Sequence, residues 1–365
     1  MINTTTKEFV LGTGSGIIAI DIGTTNIEAG LFDSGKNVID LRSETNSQRR
    51  FGSDIASRIV AASSGRSTEM RACVLSQICG MITSLVTCHP DMDVQRIGIA
   101  GNTTMLHILS DYDCSGLGTY PFTPVSLKSS ETTTYGLIGD LLSDPVEGFP
   151  DIPVVILPGI SAYIGADVYA GVIASQMALS DRISLLIDLG TNAELVLGSR
   201  KRLLAASAAA GPAFESNRIF KGTEGIEMLN RLLALGVIDN TGLMGDEYFE
   251  KTAQKNIRRL QLAKAAIHAA ILVLLNRYGI SEDEIDKVFI SGNFGNNLDI
   301  DACISVGMLP ESFRNRTEAA GNTVLSGCFD YCSDPSRAPD PSSIGEIVLA
   351  NEPEFNGIFM DSIDL

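Results

Sequence analysis

The chain has 365 residues, of which 44% are hydrophobic, and 27 Lys+Arg against 44 Asp+Glu give a formal net charge of −17. That length allows two or three domains and a core that needs no disulfide or metal staple. The acidic balance argues against a nucleic-acid binder, which needs a basic face, and no apolar run reaches the roughly 18 residues of a membrane span.

Residues 1–16 are polar and rich in Gly, Ser and Thr, and they read as a flexible tail. They show no basic segment followed by an apolar one, so a cytoplasmic protein is expected. The glycine run at 12–16 precedes a strand, whereas a dinucleotide fingerprint follows one and opens a helix. Strands are predicted at Ile17–Ile20, Ile27–Phe32 and Val38–Leu41, with turns at Gly23-Thr24 and Ser34-Gly35. A helix over Ser53–Ala62 takes Ser53 as its N-cap. Met70, Val74, Ile78, Met81, Ile82 and Leu85 give a longer amphipathic helix. Arg96–Ala100 is a strand that runs into Gly101-Asn102, and residues 111–150 read mainly as loop. Ile152–Leu157 is a further strand, followed by a small-residue helix over Ser161–Leu179 that carries Asp167.

The opening pattern then returns. IIAIDIGTTNIEAGL at 17–31 and LLIDLGTNAELVL at 185–197 align Asp21 with Asp188, Gly23 with Gly190 and Thr24 with Thr191. Lys201–Ala205 adds a third strand, so both halves open with the same hairpin-plus-strand unit. Helices follow at Glu224–Leu235 and Lys255–Arg277, then a strand at Lys287–Ile290 running into Ser291-Gly292-Asn293-Phe294-Gly295. The chain closes with a strand and a helix. Domains are accordingly expected at 17–180 and 181–335, with 336–365 packing on the core.

A tight turn with glycine places backbone N–H groups against a phosphate with no side chain in the way. Thr24, Thr25 and Thr191 add hydroxyls, and Asp21 and Asp188 offer hard oxygen ligands for Mg²⁺. One such turn is an ordinary hairpin; two of them half a chain apart point to a phosphorylated ligand such as ATP. Ser291–Gly295, with its two glycines, offers a smooth backbone surface for a flat base. The seven cysteines include no CxxC pair, and His89, His107 and His268 are scattered. Reduced, buried thiols are expected; the sharper alternative makes Cys328 and Cys332 part of a subunit-bridging cluster or metal site.

The order of these elements resembles the acetate kinase–sugar kinase–heat-shock protein–actin (ASKHA) superfamily. That resemblance implies an α/β chain of two actin-like (ribonuclease H-like) domains, with mixed sheets flanked by helices and an ATP cleft between the domains. It maps phosphate-1, phosphate-2 and adenosine motifs onto Asp21–Thr25, Asp188–Asn192 and Ser291–Gly295, and it makes Asp167 the residue presented to metal or water. Asp21, Asp167 and Asp188 are then the expected catalytic carboxylates.

A narrower resemblance rests on NSQRRFGSDIASRI (46–59), GNTTMLHIL (101–109), PFTP (121–124), LPGISAYIGAD (157–167), DLGTNAE (188–194), AAAGPAFE (208–215) and QLAKAAI (261–267). These motifs are similar to those of reductive activators of corrinoid proteins. The likeness implies an ATPase that returns a cobalt(II) corrinoid protein to cobalt(I) for methyl transfer. It adds Asn102, Gly190, Asn192 and Gly211 to the nucleotide-binding set and implies a homodimer. Ser207 is the only hydroxyl of the small-residue stretch 205–211 and is the candidate to face the corrinoid. Members of that family usually carry an iron–sulfur module with C-x₄-C-x₂-C spacing, which is not evident here. A separate electron donor is therefore expected. The competing expectations are a small-molecule kinase of the same superfamily and an ATPase paralogue that activates another metalloenzyme.

Overall fold

The computed structural model describes residues 14–139, 149–190, 192–211, 224–292 and 298–365. In chain order the elements are β1 (Ser15–Ile22), β2 (Asn26–Asp33), β3 (Val38–Thr45), α1 (Ile55–Ala61), α2 (Ser67–Cys88), β4 (Asp93–Gly101), α3 (Thr103–Leu109), β5 (Ser130–Thr133), α4 (Thr134–Ile138), β6 (Pro153–Ile156) and α5 (Ala166–Ala174). They continue with β7 (Ser184–Leu189), β8 (Ala193–Ser199), β9 (Arg202–Ala208), α6 (Glu224–Ala234), α7 (Lys251–Tyr278), β10 (Lys287–Ser291), α8 (Ile300–Ser305), β11 (Thr317–Gly321), α9 (Thr323–Ser333), β12 (Ile344–Glu346) and α10 (Phe355–Asp361).

Two compact units result. The first holds residues 1–174 and 324–341, the second residues 175–323 and 342–365. The return of 324–341 to the first unit is not anticipated by a boundary at 335.

In the first unit the sheet order is β3-β2-β1-β4-β6-β5. β1–β2 and β2–β3 are antiparallel hairpins, while β1–β4 and β4–β6 are parallel. β1 buries nearly every residue because it is central and covered on both faces. One covering element is α9. Its approach depends on small residues: a Cβ on Gly98 of β4 would lie 2.7 Å from Cys332 Sγ and 3.2 Å from Cys328 Cβ. On its other side, a Cβ on Gly327 would lie 2.0 Å from the carbonyl oxygen of Ala170 in α5. Helix α2 lays Met70, Val74, Ile78, Met81, Ile82 and Leu85 into the same core.

The second sheet repeats this plan in the order β11-β10-β7-β8-β9-β12. β7–β8–β9 is the antiparallel meander, and β10 and β11 join it in parallel. Helix α7 fills the core beneath it. Glu250 caps its start, and Gly279, at φ 85°, ends it in the left-handed conformation that glycine adopts without penalty. Residues 55–88 and 251–278 are each apolar enough, by length and composition, to cross a membrane, contrary to the run-length reading; α7 buries most of that apolar surface within its own unit.

Three local expectations shift. The N-cap of α1 is Asp54 rather than Ser53, because Asp54 and Ser57 form a reciprocal capping box. Helix α5 starts only at Ala166, since Ser161 Oγ accepts from the Tyr163 and Ile164 N–H groups and holds that segment as a turn. Strand β1 begins at Ser15, within the segment read as a tail.

Candidate functional site

In the first unit the candidate residues converge where β1 and β4 end. Register pairs Asp21 with Ala100 and Ile22 with Gly101. The chain then turns at Gly23, where a Cβ would meet the Asn26 carbonyl oxygen at 2.6 Å, so the turn is too tight for any side chain. Two side chains that sequence reasoning did not single out hold this turn. Asn46 Nδ2 donates to the Gly23 carbonyl at 2.8 Å, and the Asn46 N–H donates to the Thr25 carbonyl at 2.8 Å. Arg58, fully buried, donates to the carbonyls of Thr24 at 2.5 Å and Gly52 at 3.1 Å. On a helix facing the surface, Arg58 would be an ordinary solvated cation; only the fold turns it inward.

Asn102 closes the group. Its Oδ1 caps α3 through the Met105 N–H, and its Nδ2 donates to Thr24 Oγ1 at 3.1 Å. Gly165 lies against it: a Cβ there would sit 2.6 Å from Asn102 Cα and 2.7 Å from Asp167 Oδ1. Asp21, Gly23, Thr24, Thr25, Asn102 and Asp167 thus lie on adjoining elements, at the ends of β1 and β4 and the start of α5. Asp167 sits in the first turn of α5, where its Oδ1 accepts from the Val168 N–H.

The second unit repeats the arrangement. Asp188, one residue before the end of β7, lies opposite Ser291 of β10, and Ser291 Oγ donates to Asp188 Oδ1 at 3.0 Å. Burial pushes the Asp188 carboxyl up, and the Ser291 hydrogen bond opposes that push. The next residue, Gly292, has φ 90°, and a Cβ there would lie 2.4 Å from the Leu189 carbonyl oxygen and 2.8 Å from Asp188 Oδ1. Gly101 plays the same part in the first unit, 2.7 Å from the Ile22 carbonyl oxygen by the same measure. The turn after β7 is closed by the Gly190 N–H donating to the Asn192 carbonyl at 2.9 Å. Gly211, at φ 65°, lies past the end of β9. Thr191, Asn293, Phe294 and Gly295 lie outside the described residues.

Each aspartate is also followed across its sheet by a glutamate and a serine, a pattern the sequence reading did not register. Asp188 pairs with Glu194 and Glu194 with Ser207; Asp21 pairs with Glu28 and Glu28 with Ser43. Ser207 Oγ donates to Glu194 Oε1 at 3.0 Å, and Ser43 Oγ donates to Glu28 Oε1 at 3.2 Å. Ser207 is half-buried, and its hydroxyl proton is directed along the sheet toward Glu194.

Cys328 and Cys332 are packing residues. Both are fully buried against β4, and burial pushes the Cys332 thiol up to about 12 and Cys328 well above its ordinary value. Among the described residues no group of three or more His, Cys, Asp or Glu side chains gathers as a metal cage. Mg²⁺ is ordinarily held by one or two carboxylates, water and phosphate oxygens, and Asp21 and Asp188 fit that donor set. His107 is structural: its Nε2 accepts from the Val125 N–H at 3.0 Å while Nδ1 donates to the Thr103 carbonyl at 2.8 Å, and burial lowers its pKa.

Comparison with known proteins accords with this geometry. Residues 16–180 match the family model described as the RACo middle region, and residues 182–228 and 247–365 match the C-terminal domain of RACo, the ASKHA domain. The chain is 26% identical to the corrinoid activation enzyme RamQ of Eubacterium limosum over 94% of its own length and 69% of that protein's. It is 24% identical to a reductase of the Co(II) methylated amine-specific corrinoid protein of Methanosarcina barkeri, over 57% of this chain and 50% of that one. A solved structure of a reductive activator for a corrinoid, iron–sulfur protein superposes with a TM-score of 0.82 at 26% identity, covering 96% of this chain and 66% of the other. The chain therefore spans between half and about two thirds of these relatives.

Proposed function

Because the chain belongs to the RACo family, matching its middle region and its C-terminal ASKHA domain, we propose that it is an ATP-dependent activator of a corrinoid protein. In this reading it assists the reduction of inactive cobalt(II) to cobalt(I), the state used for methyl transfer. The observation that carries the reading is the duplicated strand end: in two units that share a five-strand plan, an aspartate near the end of a central strand lies beside a glycine that admits no side chain.

The residues divide the work as follows. The turns after Asp21 and Asp188 bind phosphate through backbone N–H groups, aided by Thr24, Thr25 and Thr191. Asp21 and Asp188 hold Mg²⁺, which when bound neutralises charge on the phosphate oxygens. Asn102 and Asn46 fix the first turn, Gly190, Asn192 and Gly211 border the second, and Ser291–Gly295 accept the base. Asp167 orients the attacking water. The products are ADP and phosphate; separately, one electron passes from a low-potential donor to cobalt(II), so the donor is oxidised by one electron as cobalt(I) forms.

An activator must tell the two cobalt states apart. Swinging an equilibrium from 1:99 to 99:1 needs about 10⁴-fold preference, or about 5.5 kcal/mol, and for one electron this is ~240 mV at ~59 mV per decade. We take the cobalt(II) partner to be the form bound, with Ser207 facing the corrinoid. Such a preference opposes electron transfer within the complex by the same amount, and ATP turnover is what offsets it, by weakening the grip on the partner.

The test uses a corrinoid protein from the same source, held anaerobically as cobalt(II) with a low-potential one-electron reductant. Adding this protein with Mg-ATP is expected to raise the cobalt(I) absorption band, and Asp188→Ala is expected to abolish the rise. ATP consumption that answers to a sugar or acid, with the band unchanged, would instead identify a small-molecule kinase and end the proposal.

A further inference from the structure

The hydrogen-bonded row across the second sheet does more than finish a strand end. Ser291, Asp188, Glu194 and Ser207 are successive direct partners on the four adjacent strands β10, β7, β8 and β9. Direct partners share a face of the sheet. Two residues back along the same face lies an apolar row, Phe289, Leu186, Val196 and Ala205, in the same register. The opposite face, which carries Ile187, Leu195 and Ala206, belongs to the hydrophobic core with α7. The polar row therefore closes this apolar face at the end of the sheet where the glycine turns lie, as Lys287 and Ser184 close it at the other end.

Its chemistry is unusual for a sheet. Like charges placed directly opposite each other are destabilising, yet Asp188 and Glu194 occupy such a pair. Each acid is answered on its outer side by a serine hydroxyl, Ser291 on Asp188 and Ser207 on Glu194, both at 3.0 Å. The first unit holds Asp21, Glu28 and Ser43 at the same three register positions, with the same serine-to-glutamate hydrogen bond. The same pairing of two acids, with a serine on the glutamate, occurs in both units and is not an accident of one hairpin.

We infer that Glu194 is a positioning residue that couples the nucleotide side of the second unit to its partner-facing side, by joining Asp188 to Ser207. A cation beside Asp188 relieves its repulsion with Glu194, and Glu194 in turn sets where the Ser207 hydroxyl points. Loss or gain of the phosphate-bound cation is then felt at Ser207, two strands away, with no movement of the backbone required. This rests on the proposed function, in which Asp188 serves the nucleotide and Ser207 faces the corrinoid. Glu28 occupies the matching place in the first unit, but its serine sits on β3, the outer strand of that sheet, and is exposed. Glu28 therefore provides the internal control.

The experiment measures the affinity of the full chain for the cobalt(II) corrinoid protein, with and without a non-hydrolysable Mg-ATP analogue, and takes the ratio. Couplings between sites ordinarily amount to about 5–150-fold, and the unmodified protein is expected to fall in that range. Glu194→Ala is expected to bring the ratio close to one. Ser207→Ala should do the same, and the double variant should be no worse than either single one. Glu28→Ala should retain the full ratio. Glu194→Gln, which keeps an acceptor for Ser207 while removing the charge facing Asp188, is the second variant should the alanine form not fold, and its ratio should also fall. A purely structural role would weaken partner binding equally with and without nucleotide and leave the ratio intact. An intact ratio in both Glu194 variants overturns the inference alone. A ratio of one in the unmodified protein overturns the proposed function and the inference with it.

Discussion

Replacing Gly98 by alanine tests the way α9 is seated. The new Cβ would lie 2.7 Å from Cys332 Sγ and 3.2 Å from both the Cβ and the carbonyl oxygen of Cys328. Comfortable non-bonded separations are about 3.5–4.0 Å, so the thiol side must retreat by about 1 Å inside a core where both cysteines are fully buried. Overpacking of this kind costs about 1–3 kcal/mol, and relief of glycine's strand penalty returns about 0.5–1 kcal/mol. The net loss of about 1–2 kcal/mol corresponds to a fall of about 2–8 °C in Tm for a unit of this size. Removing the obstacle should restore room: in Gly98→Ala/Cys332→Ala the added methyl takes the space of the deleted sulfur. The double-mutant cycle read by urea unfolding should therefore show a favourable coupling of about 1 kcal/mol, well above the ~0.3–0.5 kcal/mol scatter of independent sites. Simple additivity would refute the packing argument. Loss of a bound metal or of colour on Cys332→Ala would refute the reading of these thiols as inert.

Gly292→Ala forces a side chain into the left-handed region, at about 1–2 kcal/mol, and against the Leu189 carbonyl oxygen, a backbone atom that cannot swing aside. Calorimetric titration with Mg-ATP is expected to show at least about a tenfold weaker Kd, or about 1.4 kcal/mol; unchanged affinity would remove this strand end from the nucleotide site. Lys264 of α7 is buried, donates to the Asp364 carbonyl, and is pulled by burial from its ordinary 10.5 to about 8. Between those two values the unfolded chain holds a proton that the folded chain lacks, so stability rises with pH across the window, by up to about 3 kcal/mol, and the full cost is present below about pH 8. Lys264→Met should lose that rise relative to the unmodified protein in denaturant unfolding at successive pH values; parallel profiles would show that the lysine carries no such cost.

The two opening hairpins were legible because their signal is local: apolar run, aspartate, glycine, threonine, apolar run. The sequence alignment of Asp21 with Asp188 proved to be an alignment of β1 with β7, and it extends further than the motifs do, since Gly101-Asn102 after β4 matches Gly292-Asn293 in sequence after β10. Helix α9 was not anticipated. Its buried positions Val324, Leu325, Cys328, Phe329 and Cys332 do fall at helical spacing, but the helix is only eleven residues long and the stripe is interrupted by Gly327 and filled partly by cysteine, so the pattern is easily passed over. The Asp–Glu–Ser rows were hidden for a different reason. Glu28 and Ser43, and Glu194 and Ser207, are far apart in the chain, and their pairing depends on hairpin lengths and on a bulge between Leu31 and Phe32 that only the folded register reveals. Arg58 and Asn46 lay inside a motif that carried a family resemblance, yet nothing local tells a buried brace from a solvated side chain.

The seating of α9 bears on the order in which this protein can acquire its structure. The first unit is assembled from residues up to 174 and from 324 to 341, with the whole body of the second unit made in between. Synthesis at about 5–20 residues per second places roughly 8–30 s between the emergence of α5 and that of the helix it packs against. Throughout that interval the floor prepared at Gly98 has no occupant, although α5 already packs on β4. The second unit is therefore made as far as residue 323 while the first still lacks one of its helices.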